Sequence, residues 1–160
     1  MDNPRAEELE TMVGLSDGER ALLTPLGVCA RKVAPLLSAA FAKRASACSM
    51  FSNFSGEDSD SFKARMQAWF VDLFEAHPEG VRSEDQWVNE RFFRYPVSPV
   101  CIIVMMDVIL NLGRRVTRYS HKRERAVRAF YMSLALQLTL LEQCYELVRR
   151  RLSTQLMLLD

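Results

Sequence analysis

The sequence predicts an all-α fold, and three observations carry that prediction. Apolar residues recur at three- and four-residue spacing through the long segments, Ser- and Thr-led caps mark helix starts, and no run between Gly or Pro breaks reads as a strand. The chain has 160 residues, 49% apolar and 26% charged, with 6 Gly and 6 Pro, which is the composition of one compact domain. Disorder and collagen-like order are excluded, and 9 Phe supply side-chain volume for a real core.

Ser16-Asp17-Gly18-Glu19 is a capping box, so a short helix starts there and carries Ala21, Leu22 and Leu23. Thr24-Pro25 fits N-cap followed by N1 of a second helix with Leu26, Val33, Leu36, Leu37, Ala40 and Phe41 on one side. Pro35 removes a backbone donor inside that helix, and a kink or break is expected there. The small, polar, acidic segment Ser46 to Asp60 reads as a connector, with Met50, Phe51 and Phe54 pressed onto the core. From Ser61, Phe62, Met66, Trp69, Phe70, Leu73 and Phe74 form one face of a helix that ends at His77-Pro78-Glu79-Gly80. Ser83-Glu84-Asp85-Gln86 caps the next helix, which bears Trp87, Val88, Phe92 and Phe93. Pro96 and Pro99 bracket a turn, and Ser98-Pro99 opens a helix from about Val100 to Arg118 that is apolar almost all round and should be buried on more than one side. A last helix runs from about Arg123 past Arg150, with Arg149-Arg150-Arg151 as its cationic end. Its apolar surface is wider than one stripe: Val127, Tyr131, Leu134, Leu138, Leu141, Tyr145 and Val148 are flanked by Phe130, Leu136, Leu140, Cys144 and Leu147. That surplus predicts a homodimer through a partner helix.

Charge divides unevenly, with eight basic against twelve acidic residues in the first half and thirteen against eight in the second. A pI near 7.7 argues against a dedicated nucleic-acid binder. The run Arg114, Arg115, Arg118, His121, Lys122, Arg123, Arg125 and Arg128 has the chemistry to hold an acidic partner or phosphates, but it reads first as cations that complement a helix C-terminus. Four unpaired-looking cysteines, Cys29, Cys48, Cys101 and Cys144, signal neither zinc nor a disulfide framework. The N-terminus lacks a secretory pattern and Val100 to Leu112 is too short to span a bilayer, so a cytoplasmic protein without membrane contact is expected. No phosphate loop, metalloprotease, nucleophile-elbow or calcium-loop motif occurs, and His77 and His121 both sit at helix ends. A non-enzymatic role with no cofactor and no metal follows as the expectation. Asp107 and Asn111, one turn apart, read as the wet stripe of their helix.

The order Leu23-Thr24-Pro25-Leu26, Ala39-Ala40-Phe41, Trp69-Phe70-Val71-Asp72-Leu73-Phe74, Arg91, Tyr95-Pro96-Val97-Ser98-Pro99, a long apolar helix and a longer final one resembles the globin domain of globin-coupled sensors and protoglobins. The resemblance covers about Leu15 to Leu152. It implies a globin-like helical sandwich with a long C-terminal helix, spanning 15–152 between an extension at 1–14 and a tail at 153–160. It also implies dimerisation of the last two helices in an intermolecular four-helix bundle, with Val104, Val108, Tyr131, Leu134, Leu138, Leu141, Tyr145 and Val148 at the interface.

The family's proximal histidine falls on Phe92 and its distal tyrosine on Ala42, neither of which ligates iron. The resemblance therefore implies a haem-free variant. Such domains occur in bacterial stress signalling as sensors of an apolar ligand, such as a fatty acid, or as modules that contact a signalling protein. The pocket residues it implies are Phe51, Phe54, Phe70, Phe74, Phe92, Phe93, Met105 and Ile109. The alternative is a haem-binding gas or redox sensor with Tyr95, Cys101 or His77 as an unusual axial ligand.

Overall fold

The computed structural model describes residues 6–47, 58–75 and 99–157. Seven α-helices and one short 3-10 turn make up these segments, and no strand occurs among the described residues. The helices are α1 (Ala6–Val13), α2 (Asp17–Leu23), α3 (Gly27–Ser46), α4 (Asp58–Glu75), α5 (Pro99–Val104), α6 (Met106–Thr117) and α7 (Arg123–Met157). The chain is all-α.

Local rules explain the first boundaries. Gly14, at φ 82°, ends α1 in the left-handed conformation that glycine adopts without cost, and its N–H donates to the Thr11 carbonyl. Ser16 then caps α2: its Oγ accepts from the Glu19 N–H at 3.4 Å while the Glu19 carboxylate accepts from the Ser16 N–H at 3.0 Å. Thr24, expected to open the next helix, instead closes α2, its Oγ1 donating to the Arg20 carbonyl at 3.1 Å. Thr24–Leu26 form the 3-10 turn, and α3 starts after it.

Pro35 does not break α3, which is continuous over 20 residues. The carbonyl that the proline leaves without a donor is that of Arg31, one turn earlier, and Arg31, Lys32 and Pro35 itself are exposed, so water can take it. Helix α4 begins three residues before the expected Ser61, at Asp58. The expected helix from Val100 to Arg118 is two helices, interrupted at Met105, whose φ of −104° and ψ of 7° lie outside the helical basin. The interruption lets Cys101, Ile102 and Met105 before it and Ile109, Leu112 and Val116 after it all enter the core, while Ile103 and Val104 face out. Helix α6 is therefore two-faced rather than apolar all round, with Asp107, Asn111, Arg114 and Arg115 along its exposed side. Helix α7 does not end at the Arg149–Arg151 run but continues to Met157, 35 residues in all and roughly 52 Å at 1.5 Å per residue.

Helix α7 is the axis of the molecule. Helices α1, α2, α4, α5 and α6 all pack against it, while α3 packs mainly on α4 and α6. Its buried positions, Ala126, Ala129, Phe130, Leu134, Leu136, Leu140 and Leu141, take most of the apolar surplus that the sequence shows. Two glycines let helices approach. A Cβ on Gly113 would lie 2.1 Å from Cζ of Phe130, and one on Gly27 would lie 1.9 Å from the Glu75 carboxylate. The stretch Asp17–Ser46 is long and apolar enough to cross a membrane by length and composition, at a mean hydropathy of 1.2. Its Leu23, Leu26, Ala30, Ala34, Leu37 and Phe41 are buried in the chain's own core.

Candidate functional site

Four of the eight expected pocket residues are described: Phe70, Phe74, Met105 and Ile109. All four are buried and belong to one hydrophobic cluster shared by α3, α4, α5, α6 and α7. They do so because α4 alternates core positions at 66, 69, 70, 73 and 74, which places both phenylalanines against α7. The Phe74 and Phe130 rings stack with centroids 5.4 Å apart and planes 9° off parallel, and Phe70 meets the edge of Phe74 at 5.7 Å. Stacked rings at that spacing leave no gap between them for a ligand or a macrocycle. Phe51, Phe54, Phe92 and Phe93 lie outside the described residues, as do His77 and Tyr95.

Of the expected axial donors Cys101 alone is described; it is in no disulfide and is buried among the same apolar side chains. His121 is exposed beyond α6. Among the described residues no group of three or more His, Cys, Asp or Glu side chains could hold a metal ion.

The expected dimer stripe splits. Leu134 and Leu141 are buried in the chain's own core, Leu138 and Val108 are half-buried against it, and Val104 and Tyr131 are each 42% exposed. Tyr131 rests against the Phe130 ring at 5.7 Å. The side chains of Tyr145 and Val148 lie outside the described set, though both residues are helical. The last buried residue of α7 among those described is Leu141, and exposed Glu142, Glu146, Arg149, Arg150 and Arg151 follow it. Glu146 and Arg150 pair along the helix at 3.0 Å.

An open groove of about 470 Å³ runs along α4, lined by Ser61, Ala64, Arg65, Ala68 and Asp72, with Arg31 of α3 at its edge. Arg31 is held by Glu75, and Arg65 donates through Nη1 to the neutral Ser61 Oγ at 2.8 Å while its Nε is buried without a hydrogen-bond partner. Nothing in the sequence singles out this groove, because its lining is small or ordinary surface residues.

The polar contact that sequence reasoning misses is Arg44. From the end of α3 it donates through Nη1 to the Val104 carbonyl at 2.7 Å, one of those freed by the interruption at Met105, and through both terminal nitrogens to the Asp107 carboxylate at 2.7 and 2.6 Å. That two-pronged contact holds Asp107 down at a pKa of about 2, chiefly through the hydrogen bonds from Arg44. Asp107 is thus an exposed, ion-paired residue, in keeping with the wet stripe read from the sequence. A partner 63 residues away leaves no local sequence signal.

No protein-family model matches the chain, and comparison with curated proteins returns no relative.

Proposed function

We propose that this chain is a non-enzymatic, haem-free, globin-like regulatory domain that dimerises and acts through protein contacts. One observation carries the reading: α7 organises the core as far as Leu141 and then runs on as helix to Met157 with an exposed charged side, beyond the last of its described buried residues. A helix that joins the core at one end and continues from it at the other couples packing to an outer contact surface. In the sequence, apolar residues continue along it at Tyr145, Val148, Leu152 and Leu156 with three- and four-residue steps, the repeat of a helix that packs on another helix.

The ring stack of Phe70, Phe74 and Phe130 favours a filled interior over a ligand-gated one. Contact signalling is therefore preferred to sensing of a fatty acid or of haem. Native mass spectrometry of the full chain with its absorption spectrum tests this. A colourless dimer without adduct is expected; a monomer at micromolar concentration removes the dimer, a retained apolar molecule restores the ligand sensor, and a Soret band restores the haem reading.

A further inference from the structure

We infer that the tip formed by the end of α6 and the start of α7 is a docking surface for an acidic segment of a partner protein. Arg114, Arg115 and Arg118 lie at the end of α6, and Lys122, Arg123, Arg125 and Arg128 lie across the five-residue turn that leads into α7. All seven are exposed, Glu124 is the lone acid among residues 114–128, and Tyr119 stands 73% exposed in the turn.

Two observations separate this tip from an ordinary solvated face. Among the described residues Arg31, Arg44 and Arg150 are paired, with Glu75, Asp107 and Glu146, whereas none of these seven closes an ion pair. The acid that Arg125 senses, Glu19, is already engaged by the Ser16 cap. Second, the helix dipole accounts for only half the cluster. Arg114, Arg115 and Arg118 complement the negative end of α6, but Lys122, whose carbonyl accepts the first α7 bond, and Arg123 and Arg125 crowd the positive end of α7, where cations are disfavoured. A tip that adds like charges to an unfavourable dipole is relieved by a bound anion.

The rest of the chain decides the class of partner. Outside residues 114–128 it carries five more acidic than basic residues, a field that opposes a duplex or an anionic membrane extending past the tip. A short acidic peptide stays within the basic area. This inference rests on the protein-contact reading for its partner class, but not on the dimer.

Fluorescence anisotropy of the full chain with a labelled peptide of alternating Glu and Ser tests it, beside a neutral peptide of equal length, a short DNA duplex and phosphatidylserine vesicles. Binding of the acidic peptide that weakens roughly tenfold between low and physiological salt is expected. The pair Arg118→Glu and Arg125→Glu should weaken it a further tenfold or more, while Arg149→Glu at the far end of α7 leaves it unchanged; circular dichroism checks that each variant keeps its helix. The milder Arg118→Gln with Arg125→Gln should fall between. No preference over the neutral peptide, an equal loss in Arg149→Glu, or tighter binding of duplex or vesicles overturns the inference. Because oligomeric state is measured separately, peptide binding by a monomer would remove the dimer reading and leave this one standing.

Discussion

Gly113 faces the Phe130 ring so closely that an added methyl would overlap three of its carbons. The ring is buried and stacked on Phe74, so it cannot swing away, and Gly113→Ala should cost about 1–3 kcal/mol of overpacking against about 1 kcal/mol of helix propensity gained. A lower melting temperature, by a few degrees for a chain of this length, is the expected result in thermal denaturation. Arg44 makes a second prediction at this scale. A carboxylate whose folded pKa lies below its unfolded value contributes stability above the unfolded value and loses it as pH falls toward the folded one. The Asp107 contribution is therefore present above pH 3.8 and fades as pH falls to about 2. By NMR titration Asp107 should ionise at about 2, and Arg44→Gln should return it toward 3.8, with faster amide exchange around the Met105 interruption.

At the scale of elements, periodicity and caps make most of the helices legible in the sequence. Ser16 and Glu19 formed the box their spacing implies, and the α4 face at Phe62, Met66, Trp69, Phe70, Leu73 and Phe74 is the buried one. What the sequence hid were choices set by distant partners. The break at Met105 has no glycine or proline to announce it; it exists because two short helices bury Ile102 and Ile109 together, with Arg44 taking a freed carbonyl. Pro35 misled in the opposite direction, since its cost depends on whether the orphaned carbonyl meets water, a tertiary fact. Helix α4 is tied to α7 by Ser133, which is buried and donates to the Leu73 carbonyl at 2.5 Å, and to α3 by Gln67, which donates to Ser38 at 2.8 Å. Ser133→Ala should cost about 1 kcal/mol, because it leaves that carbonyl without the hydroxyl, and urea denaturation would read the loss as a lower midpoint at unchanged slope.

For the whole molecule, the surplus apolar surface of the last helix was visible in the sequence, but its use was not. Five helices converge on α7, so Leu134 and Leu141 serve the chain's own core, and of the expected stripe Tyr131, Val104 and the helix beyond Glu142 remain for a partner. Tyr131→Glu with Val104→Glu should accordingly leave the fold intact, both side chains being 42% exposed, and shift a dimer to monomer in light scattering. The basic tip was legible as a run of cations; that half of it opposes a helix dipole became apparent only once the turn was placed between Arg118 and Arg123. The central position of α7 also bears on how the protein is made. Helices α1, α2, α4, α5 and α6 leave the ribosome before the helix they pack on, so during synthesis their faces around Leu23, Trp69 and Ile109 lack that partner until residues up to Leu141 have emerged. A chain cut short before Leu141 would therefore leave those apolar faces without the helix that covers them, and should aggregate rather than fold as a smaller domain.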